Sequence, residues 1–114
     1  MKEVRITVAV ATLLRVFVDE PTQARYGYEL MRRTGFPSGK LYPILARLEA
    51  AGWLVKRQEQ IDPSEAGRPV RRMYQITGEG LELARLELEA LQSRISANSG
   101  DDASLWPKPA GGFA

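Results

Sequence analysis

The chain has 114 residues, 44% of them hydrophobic and 26% charged, a balance that suits one domain with a single modest core and argues against global disorder. It holds no cysteine and no histidine, which excludes disulfides and thiol chemistry and takes away the commonest metal ligand and general base. The net charge of +2 is unevenly placed: ten bases face five acids between Pro21 and Ile76, and three bases face six acids after Ile76. A basic middle and an acidic end predict two faces with different partners, the basic one suited to phosphate.

Met1-Lys2-Glu3-Val4-Arg5 does not have the layout of a signal peptide, because Arg15 interrupts the apolar stretch and no small-residue cleavage site follows. No apolar run is long enough for a membrane span, so a cytoplasmic, nucleoid-associated location is expected. From roughly Arg5 to Asp19 two signals compete. Val4, Ile6 and Val8 alternate with polar residues as in a strand, whereas Val10, Leu13, Leu14, Phe17 and Val18 recur at helical steps. The length without Gly or Pro predicts a helix with a β-branched start. Asp19-Glu20-Pro21-Thr22 breaks it.

A second helix is expected from about Ala24 or Tyr26 to Arg33, burying Tyr28, Leu30 and Met31, with Gly35 as its left-handed terminator. Phe36 and Pro37 make a turn, and Ser38 is expected to cap a third helix. Leu41, Ile44, Leu45 and Leu48 form that helix's core stripe, and it ends at Ala51 with Gly52 just beyond. Pro43 is expected to fit by falling in the first helical turn. Two short helices across a tight turn, the second with basic residues opposite its apolar stripe, form a helix-turn-helix; the plainer alternative is an αα-corner with a solvated charged face.

Trp53-Leu54-Val55-Lys56-Arg57-Gln58 is short, aromatic and β-branched, and reads as a strand. Glu59 to Pro69 is a polar loop, and Val70 to Ile76 a second strand. Two strands after the second motif helix make a wing. Thr77 caps a last helix from about Gly78 to Ile95, in which Leu81, Ala84, Leu88, Leu91 and Ile95 step by three and four as a heptad seam, with Leu83, Leu86 and Ala90 beside it. Two apolar strips on one terminal helix predict a second copy packed against it and the first helix, the alternative being that they cover the chain's own core. From Asn98 the sequence turns polar and then Pro- and Gly-rich, so residues 98–114 are read as a flexible tail after a domain at 1–97. The expected fold class is mainly α with a two- to three-stranded β-wing, a winged helix-turn-helix with N- and C-terminal dimerisation helices.

Tyr26-Gly27-Tyr28-Glu29-Leu30-Met31, Ser38-Gly39-Lys40-Leu41-Tyr42-Pro43-Ile44-Leu45, Arg47-Leu48-Glu49-Ala50-Ala51-Gly52, Gly67-Arg68-Pro69 and Tyr74-Gln75-Ile76-Thr77-Gly78-Glu79-Gly80 together resemble the PadR family of bacterial transcriptional regulators, in its short form with one C-terminal helix. The resemblance runs from about Leu13 to Gly80. It implies a dimeric winged helix-turn-helix, usually a repressor, often released from DNA by a phenolic acid or a drug. Two positions depart from the family's pattern: Tyr26 stands where many members have histidine, and Lys40 where many have threonine.

The predicted major-groove reader is the third helix, with Ser38, Gly39 and Lys40 near base edges, Tyr42 offering its hydroxyl to phosphate and Arg47 reaching the backbone. The plainer readings are a packed tyrosine and a surface ion pair. In the wing, Arg68 is expected at the loop tip, aimed at a minor groove, and Arg71 and Arg72 on opposite faces of the strand. Tyr28 completes the DNA set. Leu13, Phe17, Leu81, Ala84, Leu88, Leu91 and Ile95 form the expected dimer contact. The expected partners are double-stranded DNA at a pseudo-palindromic operator, a second copy and a small aromatic or drug-like effector, for which Phe17 and Trp106 are the candidate aromatic plates, with Phe17 read first as a core residue; no cofactor or metal is expected. The rival functions are a small-molecule sensor and a winged helix that binds protein. No nucleophile–base pair supports an enzyme.

Overall fold

A computed structural model describes residues 4–99 of the chain. The elements run α1 (Val8–Asp19), β1 (Arg25–Tyr26), α2 (Gly27–Thr34), α3 (Ser38–Ala50), β2 (Leu54–Gln58), α4 (Pro63–Ala66), β3 (Arg72–Ile76) and α5 (Gly78–Ser99). The strands make one antiparallel sheet in the order β1-β3-β2. This is the expected class, mainly helical with a three-stranded wing, though β1 was not foreseen as a strand.

Helix α1 begins at Val8, later than the expected Arg5, because the Thr7 hydroxyl accepts from the Val10 amide and fixes the start there. The preceding Val4 and Ile6 stay outside the helix and pack on the core, but no strand forms there, and Val8, the third residue of the alternation, is exposed at the start of α1. Leu13, Leu14 and Phe17 have no exposed surface. Burying each contributes roughly 1.5–3 kcal/mol to stability. Leu30, Leu41, Leu45 and Leu48 complete the same core from α2 and α3.

The chain then turns through Gly35 and Gly52, both at positive φ, as the helix-stop reading required. The cap of α3 differs from expectation. Pro37 is the N-cap residue, with no side-chain bond, and Ser38 is already helical. Pro43 is accordingly the sixth helical residue, not a first-turn proline, and its missing N–H leaves the Gly39 carbonyl without its helical donor. Tyr28 is also corrected: it is 55% exposed, while Leu30 takes the buried place on α2.

On the sheet, Leu54 pairs with Ile76 and Lys56 with Tyr74, which puts Leu54, Tyr74 and Ile76 on the buried face. β1 adds Arg25 opposite Tyr74 and Tyr26 opposite Met73. The Thr77 hydroxyl accepts from the Gly80 amide at 2.9 Å and donates to the Gly52 carbonyl at 2.8 Å, capping α5 and tying its start to the end of α3. Helix α5 runs to Ser99, past the expected Ile95. The tail was expected from Asn98, but Asn98 and Ser99 belong to α5; residues 100–114, Trp106 included, lie outside the described residues.

Of the expected dimer set, Leu13, Phe17 and Ala84 have no exposed surface, so they belong to this chain's own core rather than to a contact surface. Leu81 packs partly buried against that core. Leu88, Leu91 and Ile95 instead line a groove of about 450 Å³ with Val8, Ala11 and Val16 of α1.

Candidate nucleic-acid interface

Helices α2 and α3 meet across Gly35-Phe36-Pro37 and present the start of α3 outward. Ser38, Gly39, Lys40, Tyr42, Pro43 and Arg47 are all exposed, opposite the buried stripe of Leu41, Ile44, Leu45 and Leu48. The Lys40 ammonium lies 4.4 Å from the Phe36 ring centroid, folded back over the turn. Tyr42 crosses to the start of α2. A Cβ on Gly27 would meet the Tyr42 hydroxyl and lie 2.9 Å from Cζ, so Gly27 is what lets the ring lie there.

Between these helices and the wing is a concavity of about 630 Å³, lined by Tyr26, Gly27, Tyr28, Tyr42, Val70, Arg71, Arg72 and Tyr74. Both wing arginines reach it, against the expectation that they would face opposite ways. The ladder of β3 begins only at Arg72, so Arg71 is free of strand alternation. The Arg71 guanidinium lies 5.6 Å from the Tyr26 ring centroid. Tyr74 ionises less readily than an ordinary tyrosine, chiefly because it is buried and secondly because Tyr42 and Glu49 repel a phenolate. Tyr28 is stacked under Arg32, whose Cζ lies 5.9 Å from the ring centroid.

The acids of the basic middle are not spread evenly over its bases. Arg25, 4% exposed, bonds Glu29 and Glu20, and those carboxylates hold its charge against the burial that opposes it. Arg33 pairs with Glu29 at 3.7 Å and Lys56 with Glu49 at 3.4 Å. Arg57 is hydrogen-bonded to Gln75. Arg68 is not aimed outward from a loop tip: it is bonded to Glu59 through both terminal nitrogens, at 2.7 and 2.9 Å. Among the described residues, Lys40, Arg47, Arg71 and Arg72 make no ion pair.

Sequence reasoning missed Arg25, Tyr26, Glu59 and Tyr74. Arg25 had a signal, since Glu29 follows it at the i+4 spacing. The Tyr26–Glu59 hydrogen bond, at 2.8 Å, joins residues 33 apart and has no local signature.

The sequence profile of the transcriptional regulator PadR-like family matches residues 13–86, which includes the whole helix-turn-helix, the wing and the start of α5. The chain belongs to the PadR-like family. That is a family of transcriptional regulators, not of enzymes. The PadR family regulator of Eggerthella lenta DSM 2243 is 25% identical, with a TM-score of 0.61 over 82% of this chain and 83% of that one. The protein smu.1704 of Streptococcus mutans UA159 is 22% identical, with a TM-score of 0.63 over 84% and 88%. Reduced AbfR, solved bound to DNA, is 24% identical, with a TM-score of 0.61 over 77% of this chain; the chain spans 59% of AbfR's length. A comparison with curated proteins found no match. The expected PadR architecture is therefore present, and no described helix is long and apolar enough to cross a membrane.

Proposed function

We propose that this PadR-like chain binds double-stranded DNA as a two-fold dimer and represses transcription from the site it occupies. The observation that carries the reading is the pair of wing cations without ion pairs, Arg71 and Arg72, that line one concavity with Tyr42 of α3; Lys40 is exposed at the start of the same helix, and Arg47 lies farther along it, beside Val4 and Arg5. Cations without carboxylate partners are the ones that phosphates can neutralise. The start of α3, with Ser38, Gly39 and Lys40, enters the major groove. The Tyr28 and Tyr42 hydroxyls, on residues 55% and 42% exposed, donate to the backbone. AbfR solved on DNA supports the same use of the fold.

The dimer reading rests on the groove between α1 and α5, where Val8 is 74% and Ile95 43% exposed. Leu88 and Leu91 lie in the same groove, and the C-terminal helix of a second copy would cover them. A small apolar effector would act there by moving α5, and with it the separation of the two reading helices, roughly 34–36 Å in a DNA-competent dimer. Phe17 is no plate for such a ligand, being wholly buried in the core.

Selection of bound fragments from random DNA, followed by binding measured against salt, tests the proposal. Four cations per chain in a dimer predict a slope of log K against log salt of about −7. Binding that is flat with salt, or a protein that stays monomeric on DNA, would overturn it.

A further inference from the structure

Glu59 follows the last residue of β2, and its carboxylate gathers the wing. Arg68 Nη1 donates to Oε1 and Nη2 to Oε2, the Tyr26 hydroxyl donates to Oε2 at 2.8 Å, and the Arg71 amide donates to Oε1 at 3.3 Å. The Glu59 side chain is 10% exposed and that of Arg68 34%. The connection 59–71 holds only the one-turn helix α4, and the rest of it is without regular structure. Here one carboxylate ties its first residue to Arg68, to the Arg71 amide and to β1, while the Glu59 amide donates back to the Arg71 carbonyl.

Resting on the DNA-binding reading above, we infer that Glu59 is a positioning residue that withholds Arg68 from DNA and leaves Arg71 and Arg72 as the wing's phosphate contacts. The argument is electrostatic. A bidentate arginine–carboxylate pair presents little net charge to a phosphate. A phosphate that approached Arg68 would either sit beside a carboxylate or break two charge-assisted bonds and leave that carboxylate facing the DNA. Glu59 cannot follow Arg68 outward, because Tyr26 and the Arg71 amide hold it. The bond to Glu59 also fixes the Tyr26 ring, and Arg71 lies over that ring. One acid therefore cancels the cation at residue 68 and steadies the platform under the cation at residue 71. Counterion release follows the number of phosphates neutralised, so the paired arginine adds almost nothing to it.

The test is DNA binding between about 50 and 200 mM salt on a fragment selected by the wild-type protein. The double variant Glu59→Gln with Arg68→Ala, which removes the pair without leaving a lone carboxylate, is expected to bind within about twofold of wild type with the same salt slope, whereas Arg71→Ala and Arg72→Ala each flatten the slope of a dimer by about two. Glu59→Gln keeps the side-chain shape and frees Arg68, so its slope steepens by about two, and adding Arg68→Ala restores the wild-type slope. A flattened slope in that double variant would overturn the inference while leaving the DNA-binding reading intact. An unchanged slope in Glu59→Gln would do the same. A thermal melt of each variant separates these results from loss of fold, and binding is compared at a temperature where every variant is folded. A wild type that binds no selected DNA would overturn both readings. The pairing itself is then judged without DNA by carboxyl NMR, in which Glu59 titrates below an ordinary glutamate in wild type and higher in Arg68→Ala; no movement would overturn it.

Discussion

In the helix pair α2–α3, Lys40 and Arg47 make no ion pair among the described residues. Across the concavity, the wing brings Arg68 to the surface already bound to Glu59. Both regions contribute to the basic middle of the sequence, and a count of charges treats them alike. The fold does not. It separates cations that a phosphate can neutralise from cations that hold a loop together, and the separation follows from which acids the backbone brings within reach. The wing's long connection is tied by an internal acid, whereas the helix pair is held by Leu30, Leu41, Leu45 and Leu48; there Arg33 pairs with Glu29, and Lys40 and Arg47 make no ion pair among the described residues.

The largest expected effect removes both regions at once. A Cβ at Gly80 would meet the Trp53 carbonyl oxygen and lie 2.7 Å from the Trp53 Cα, and backbone cannot give way as a side chain can. Gly80→Ala should therefore destabilise the fold by on the order of 3 kcal/mol, a fall in Tm of more than about 10 °C for a domain of this size. A Tm within about 3 °C of wild type would show that α5 can shift on β2 at low cost.

Next comes the junction that carries α2. Arg25 is buried in β1, beside β3, with Glu20 and Glu29 as its partners, of which Glu20 is 60% exposed and stays solvated when Arg25 is lost. Arg25→Met should cost about 2 kcal/mol, seen as a lower urea midpoint with an unchanged m-value. The same change should weaken DNA binding only in proportion to the unfolded fraction. A binding loss far beyond that would mean that Arg25 reaches DNA itself.

The contrast between the two regions is sharpest in the exposed cations. Lys40→Ala should weaken binding of a dimer by about tenfold at physiological salt and flatten its salt slope by about two, with Tm unchanged. Should the slope hold while specificity among fragments relaxes, Lys40 contacts a base rather than a phosphate.

What the sequence disclosed divides along the same line. The helices were legible because the spacing of Leu41, Ile44, Leu45 and Leu48 and the stops at Gly35 and Gly52 are local signals, written within a few residues of where they act. The wing was legible as two strands but not as a device. Asp62-Pro63 and Gly67 do spell the short helix α4, with the Asp62 carboxylate accepting from the Ser64 amide and Pro63 at its first position. The bond from Tyr26 to Glu59 joins residues 33 apart and depends on β1, a two-residue strand that periodicity cannot detect, pairing with β3. Leu13, Phe17 and Ala84 show the opposite error. Their helical spacing was read correctly, but spacing alone cannot say whether a stripe faces its own core or a second copy.

The smallest expected effect isolates the wing's acid. Its carboxyl is held down to about 2, mainly by the Arg68 guanidinium, with the Tyr26 hydroxyl and the Arg71 amide adding to it and burial opposing. A folded-state value below the ordinary 4.5 means that the stabilisation is fully present above 4.5 and is lost as pH falls toward 2. Other carboxylates titrate in the same window, so wild type alone cannot report it. The difference in Tm between wild type and Glu59→Gln removes their contribution: it should be constant from neutral pH down to the ordinary glutamate range and shrink toward zero as the folded protein takes up the Glu59 proton. Lys40 and Arg47, which make no ion pair among the described residues, should show no such window in the matching difference for their alanine variants. A Tm difference that stays level through the acid range would mean that Glu59 acts by shape alone, and the two regions would then differ in packing rather than in charge.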